Sequence, residues 1–253
     1  GDMWICTDNG LARLDEKTNK FTVYNSKIYD TSTLVNDRVI SICESKLGTL
    51  WIGTYDGLCL FNPKDIFITY KNDPFNDNTL KSNMIMGVYK DDDGYIWVGT
   101  NDEGINIIDK ENDKVYRLDK QGELNSLLTS KDITVINGYG NKIFIGTNNG
   151  INIIDKDKKE IHKYLESDSD FDSDSSKIRE IFIDNDNLLW IGSRGGLYTL
   201  NNDYELRNLN NIFKDNGIKE NLVSSIYEDD DGEMWIGMSV EGGLLRYNKA
   251  TGE

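Results

Sequence analysis

The sequence predicts an all-β chain made of repeated four-stranded sheets, and three observations predict it. An aromatic–aliphatic–small anchor recurs six times, as Trp4-Ile5-Cys6-Thr7, Trp51-Ile52-Gly53-Thr54, Trp97-Val98-Gly99-Thr100, Phe144-Ile145-Gly146-Thr147, Trp190-Ile191-Gly192-Ser193 and Trp235-Ile236-Gly237-Met238. The anchors are 47, 46, 47, 46 and 45 residues apart, and all five tryptophans of the chain occupy this one position. Two further positions keep the phase. A branched aliphatic stands nine residues before the last five anchors (Ile42, Val88, Val135, Ile181, Ile226). Gly followed by Leu or Ile comes six to eight residues after every anchor (Gly10, Gly57, Gly104, Gly150, Gly196, Gly243). Self-similarity at a fixed period of this length marks a repeat architecture.

The elements follow in order. The first repeat, near 1–25, opens on a second strand at Met3 to Thr7 and runs through its fourth strand to Tyr24. Four complete meanders are expected near 39–71, 85–119, 133–165 and 178–210, and a last copy, 223–253, ends after a third strand at Leu244 to Tyr247. The repeat over 85–119 shows the reasoning. Ile85 to Lys90 is an apolar run, Asp91-Asp92-Asp93-Gly94 is turn chemistry, and Tyr95 to Thr100 is rich in β-formers. Asn101 to Gly104 turn the chain, Ile105 to Ile108 alternate, Asp109 to Asp113 turn it again, and Val115 to Leu118 complete the set. Short strands separated by Gly/Asp/Asn turns make an antiparallel meander, about 22 strands in all. Three of the repeats also carry Ser or Thr followed by Leu eighteen residues before the anchor: Thr33-Leu34, Thr79-Leu80 and Ser126-Leu127.

A four-stranded meander cannot bury both faces alone, so copies must stack. Radial stacking gives a β-propeller with six blades, the first and last incomplete, as one array over 1–253. Trp4, Trp51, Trp97, Phe144, Trp190 and Trp235 then pack between blades, and the glycine two residues after each anchor admits the next blade, with Cys6 as a small substitute. Three strands at each end are too many to close one blade. Either the two incomplete blades lie side by side, or the chain is part of a larger ring or array, which is the preferred biological reading. Exposed blade edges predict a homo-oligomer formed by strand pairing.

Composition excludes several classes. With 28 Lys+Arg against 44 Asp+Glu, the net charge of −16 repels phosphate backbones and anionic head groups, so neither nucleic acid nor direct membrane binding is expected. No apolar run approaches the roughly 20 residues that span a bilayer. The start at Gly1-Asp2-Met3-Trp4 suggests numbering that begins inside a longer gene product. Cys6, Cys43 and Cys59 read as buried free thiols. His162, the one histidine, reads as a solvated residue on an outer strand and removes most histidine-based catalytic and metal arrangements. No catalytic residue, metal or cofactor is nominated.

The acidic turns Asp91 to Gly94 and Asp229 to Gly232 invite a calcium reading, but lack alternating D-x-D-x-D-G order. Turn chemistry is preferred, with Asp92 and Asp230, five residues before tryptophan, bonding turn amides as in the Asp-box hairpins of sialidase-type propellers. Glu166 to Asp174 reads as a mobile acidic loop, with calcium as the minor alternative. Propellers bind ligands on loops between strands two and three and between four and one. Here these offer Asn9, Tyr55, Asp56, Asn101, Asp102, Glu103, Asn148, Asn149 and Arg194, with Arg38 and Arg179 where the chain enters inner strands, able to bond a sugar or carboxylate.

The stretch Tyr70 to Pro74, Asn78-Thr79-Leu80 and Val88 to Thr100, repeated in its second half at Ser225 to Gly237, resembles the two-component regulator propeller repeat. The resemblance covers essentially the whole chain. It weakens where Phe144 replaces Trp and where Gly138 to Asn141 replace the acidic turn. It implies the extracytoplasmic sensing region of a membrane-anchored bacterial signalling protein. The expected function is non-catalytic recognition of an extracellular ligand, an oligosaccharide or other small molecule. A protein-interaction scaffold and a carbohydrate-active enzyme stand as alternatives.

Overall fold

Turns of a few Gly, Asp and Asn residues leave each strand no nearer partner than its predecessor, so every repeat folds as one antiparallel sheet in chain order. The computed structural model describes residues 2–45, 48–62, 66–117, 127–167, 173–218, 221–239, 242–249 and 251–252. The described residues form 22 strands in six sheets, the first and last with three. The chain divides into two compact units, Gly1–Ile133 and Thr134–Glu253.

The first unit holds three blades. Blade 1 is β1 (Met3–Thr7), β2 (Gly10–Asp15) and β3 (Lys20–Tyr24). Blade 2 is β4 (Val39–Glu44), β5 (Leu50–Thr54), β6 (Gly57–Asn62) and β7 (Ile66–Tyr70). Blade 3 is β8 (Ile85–Lys90), β9 (Ile96–Thr100), β10 (Ile105–Asp109) and β11 (Lys114–Arg117). Register explains the nine-residue spacing: Ile42 lies opposite Ile52 and Val88 opposite Val98, each pairing with the residue after an anchor. Trp51 is buried with Leu80, Ile85 and Val88, so the second blade's anchor packs against the third blade. Burying such a ring removes roughly 150–250 Å² from water, a gross gain of about 4–6 kcal/mol before ordering costs. A Cβ on Gly53 would meet Ile85 at 2.8 Å, which is why the anchor needs glycine there. Trp4 packs half-buried among Phe61, Tyr24 and the second blade's core.

The Thr-Leu signature is a plug between blades. Leu34 and Leu80 are buried, while Thr33 and Thr79 accept amides from Lys27 and Asp73 and donate to Asp30 O and Asn76 O. In the third copy the buried residue is Leu128, and Leu127 is 45% exposed, a one-residue shift from expectation; Ser126 lies outside the described residues. Arg117 closes the second plug by donating to the carbonyls of Thr79, Asn76 and Leu80.

The second unit repeats the pattern. Blade 4 is β12 (Ile133–Tyr139), β13 (Lys142–Thr147), β14 (Gly150–Asp155) and β15 (Glu160–Tyr164). Blade 5 is β16 (Ile178–Ile183), β17 (Leu189–Ser193), β18 (Gly196–Leu200) and β19 (Leu206–Asn208). Blade 6 is β20 (Val223–Glu228), β21 (Glu233–Met238) and β22 (Gly243–Asn248). Phe144 packs on Ile178, Ile181 and Leu189 of blade 5, and Trp190 on Val223, Ile226 and Ile236 of blade 6. The sequence pattern did not indicate α1 (Asn211–Asp215), whose Phe213 is fully buried in that last cluster.

The acidic turns work one residue earlier than expected. Asp91, Asp184 and Asp229, six residues before tryptophan, take the place assigned to Asp92 and Asp230. One carboxylate oxygen accepts turn amides, from Tyr95 at 2.9 Å, Leu188 at 2.9 Å and Glu233 at 2.9 Å. The other accepts the indole N–H of Trp97 at 3.0 Å, Trp190 at 2.8 Å and Trp235 at 2.6 Å. In these three blades the aspartate satisfies the anchor indole as well as the turn, whereas the second blade has Ser45 at this position before Trp51. Where Phe144 replaces Trp the aspartate is replaced too, by Gly138. Among the described residues no group of three or more His, Cys, Asp or Glu is arranged to hold a metal. Asp168 to Asp172 of the acidic loop lie outside them.

Candidate functional site

The turns between second and third strands are built on a glycine of positive φ and a hydroxyl three residues after the anchor. Thr54 and Thr147 donate to Gly57 O and Gly150 O at 2.8 and 2.9 Å, and accept the amides of Asp56 and Asn149. Each turn is then stitched to the segment entering the next blade. Gly10 N–H donates to Asp37 O at 2.7 Å, Gly57 to Asn83 O at 2.7 Å and Gly150 to Ser176 O at 2.6 Å. The candidate side chains therefore sit on a rigid frame along one edge of the blades.

In the first unit these side chains are largely paired with one another. The Arg38 guanidinium lies 4.0 Å from the Tyr55 ring centroid and 3.0 Å from the Asp8 carboxylate. Asp56 takes the Lys71 ammonium at 2.6 Å and the Asn83 amide at 3.3 Å, and Glu103 pairs with Lys81 at 2.8 Å. Asn9 accepts from Asn25 through its carbonyl, Asn101 donates its amide to Met84 O, and Asp102 is exposed on the same turn. Positive and negative groups here neutralise each other.

In the second unit the balance is different. A register shift between Ile178 and Glu180 leaves Arg179 as the extra residue of a β-bulge, and bulges re-aim side chains. Arg179 donates to Asn148 Oδ1 at 3.5 Å. Burial lowers its pKa, and the nearby Arg194 guanidinium lowers it further. Arg194 stands 3.8 Å from Asp174, whose carboxylate also takes Lys177 at 3.0 Å. Asn149 is occupied in bonding the Ser167 amide. Among the described residues, Lys177 and Arg194 thus share the Asp174 carboxylate, and the Arg179 guanidinium beside Arg194 meets a neutral amide, a locally cationic spot on a chain of charge −16. Its fork-shaped donors suit a carboxylate or another planar anion.

Next to this spot Glu180 is half-buried, and burial pushes its carboxyl from 4.5 up to about 7. The folded protein then holds a proton that the unfolded chain has released, so stability falls as pH rises between about 4.5 and 7. The Glu180→Gln variant is expected to match the parent near pH 4.5 and to exceed it by about 3 kcal/mol at pH 8. Urea unfolding at the two pH values measures the difference.

The other sequence candidates are structural. His162 is not a solvated edge residue: its ring stacks on Tyr204 at 4.5 Å, because blade 5 covers that side of β15. Cys59 is buried and Cys6 and Cys43 are half-buried, all unpaired, and burial raises the Cys6 and Cys59 thiols to about 11. The sequence reading missed Asp174, Lys177 and Glu180; a cationic cluster against a negative net charge was the available signal.

The two-component regulator propeller model matches residues 33–56, 79–102 and 217–239, each running into or through an anchor, and the Phe144 repeat lies outside them. No curated protein matches the chain. The extracellular domain of BT3049 from B. thetaiotaomicron, described as that of a hybrid two component system, is 20% identical with a TM-score of 0.80, covering 99% of this chain and 32% of that one. The extracellular domain of BT4673, from the same organism and described as that of a one component system, is 22% identical with a TM-score of 0.75, covering 100% and 34%. Virginiamycin B lyase from Staphylococcus aureus is 17% identical with a TM-score of 0.66, covering 98% and 80%. The chain spans about a third of the first two proteins' length. These likenesses establish the β-propeller fold. Residues 33–56, 79–102 and 217–239 thus resemble the two-component regulator propeller repeat, in phase with the blades that hold them.

Proposed function

We propose that the chain is a non-catalytic, ligand-sensing module of a bacterial transmembrane signalling protein, placed outside the cytoplasmic membrane, and that its ligand is an acidic oligosaccharide or another small molecule with a carboxylate. The observation that carries the reading is Arg179, on a bulge and bonded to Asn148 of a glycine-pinned turn, beside Arg194 and Lys177, which share Asp174. Support comes from the likeness to extracellular domains described as belonging to signalling systems. The single histidine, packed against Tyr204, favours binding over acid–base chemistry. Among the described residues no helix is long and apolar enough to cross a membrane.

Thermal unfolding with uronate-containing and neutral oligosaccharides tests this. A ligand present at a hundred times its Kd stabilises by about 2.7 kcal/mol, or roughly 5–10 °C for a chain of this size. Acidic oligosaccharides are expected to give that shift and neutral ones a smaller one. The Arg179→Gln variant is expected to weaken binding about 10–100-fold, the loss of a charge-assisted hydrogen bond. No stabilisation by any oligosaccharide overturns the ligand reading. Exposed Phe21 and Val23 on β3 favour a second role in self-association, which a concentration-independent monomer mass in light scattering rules out.

A further inference from the structure

Blade 4 alone carries phenylalanine at the anchor position, and the smaller ring leaves space. In the three blades with an indole–aspartate pair, the tryptophan side chain reaches the carboxylate six residues before it. Blade 4 has lost both halves, to Phe144 and Gly138, and its turn runs through Gly140, around which no atom lies within 4 Å of a Cβ position. A cleft of about 270 Å³ opens there between blades 4 and 5, on the opposite edge of the blades from the arginine cluster. Its floor is Phe144, Ile153, Leu189 and Leu200, and Tyr204 stands in its wall.

Tyr204 is the second observation. Its hydroxyl oxygen is buried and has no hydrogen-bond partner in the protein. Buried polar atoms are nearly always bonded, so an orphan beside an open cleft points to a missing partner. The ring is also held in place. His162 stacks on it at 4.5 Å, the Lys142 ammonium lies 4.7 Å from its centroid, and its backbone sits at a φ of 64°. A wall ring fixed in this way orients a ligand with little ordering cost at the moment of binding.

We propose that this cleft binds a small planar aromatic molecule of one or two rings that carries a hydrogen-bonding group, seated where the other repeats place their own indole and bonded to the Tyr204 hydroxyl. The volume is just under the roughly 300–1,000 Å³ of common small-molecule pockets, which suits one such ring system and is too small for an oligosaccharide. The apolar floor suits the face of an aromatic ring, while Lys142, Asp155 and Asp157 at the cleft's rim can meet a polar substituent.

The test uses indole and phenol as probes on the full chain, by calorimetry or ligand-observed NMR. Saturable one-to-one binding is expected. Phe144→Trp restores the repeat's own side chain and fills the cleft. It is expected to abolish probe binding while leaving the melting temperature unchanged or raised. Tyr204→Phe keeps the ring and removes the hydroxyl, and is expected to weaken both probes about tenfold, whereas Arg179→Gln is expected to leave them unaffected. The proposal is overturned if neither probe saturates at millimolar concentration, if Phe144→Trp stays folded and binds as the parent does, or if Tyr204→Phe binds with unchanged affinity.

Discussion

Replacing Asp184 with alanine is expected to lower folding stability by about 3–5 kcal/mol, the range for breaking a buried, hydrogen-bonded charge network. The Asp184 side chain is fully buried, yet every lone-pair direction is used. Oδ1 accepts the amides of Asp186 at 3.0 Å and Leu188 at 2.9 Å, and Oδ2 accepts the Trp190 indole at 2.8 Å and the Lys249 ammonium at 3.0 Å. Alanine leaves a buried indole N–H without a partner and empties space beside Trp190. Lys249 keeps Asp186 at 2.8 Å and Glu228 at 2.6 Å, so the ammonium itself is not orphaned and the loss stays within that range. Burial opposes ionisation of Asp184, but the indole, the Leu188 amide and Lys249 outweigh it and hold its pKa below the ordinary value. The stability it contributes is therefore present at neutral pH and lost as pH falls through that lowered pKa. Denaturant unfolding of Asp184→Ala and Asp184→Asn measures the effect, with asparagine intermediate because it keeps one acceptor. A loss below about 1 kcal/mol for alanine would show that the network is not cooperative.

Gly150→Ala is expected to cost about 3–4 kcal/mol, lowering the melting temperature by roughly 6–12 °C. Gly150 has a φ of 97°, and a Cβ there would lie 2.5 Å from Tyr164 O and 3.0 Å from the Leu165 carbonyl. Backbone atoms cannot swing aside as a flexible side chain can, so the turn itself must move. Moving it strains the 2.6 Å bond from Gly150 N–H to Ser176 O, which holds the segment leading to Lys177 and Arg179. Ligand affinity at the arginine cluster is expected to fall with stability. Gly140→Ala is the control: φ is also positive, at 56°, but no atom lies within 4 Å, so the expected cost is about 1 kcal/mol. Equal losses for the two variants in differential scanning calorimetry would remove the steric argument.

The repeat was legible because its signals are local and periodic. An anchor recurring at near-constant spacing specifies second strands, their cross-strand aliphatics and the glycine that a neighbouring blade requires, and the sheets at Trp51, Phe144 and Trp190 pack in that way. Errors of one residue arose where several similar residues adjoin. Asp91 and Asp92 are chemically identical on paper, and only the reach from a turn to an indole N–H selects the first. Leu127 and Leu128 are separated only by which of them the fold buries.

The candidate loops were also named from sequence, but their charges were not sorted. Arg38 and Arg179 look alike in the pattern; one is met by Asp8 and Tyr55, the other by Asn148 and a second arginine. The bond from Arg179 to Asn148 spans 31 positions and that from Lys249 to Asp184 spans 65, across different blades. The cleft at Phe144 likewise depends on blade 5 bringing Tyr204 against β15. By itself the sequence determined the class, the strand order and the residues each blade buries, because those follow from alternation, turn chemistry and a fixed period. Only the tertiary structure decided which charges remain available and where space is left unfilled, because both depend on side chains that meet through stacking rather than through the chain.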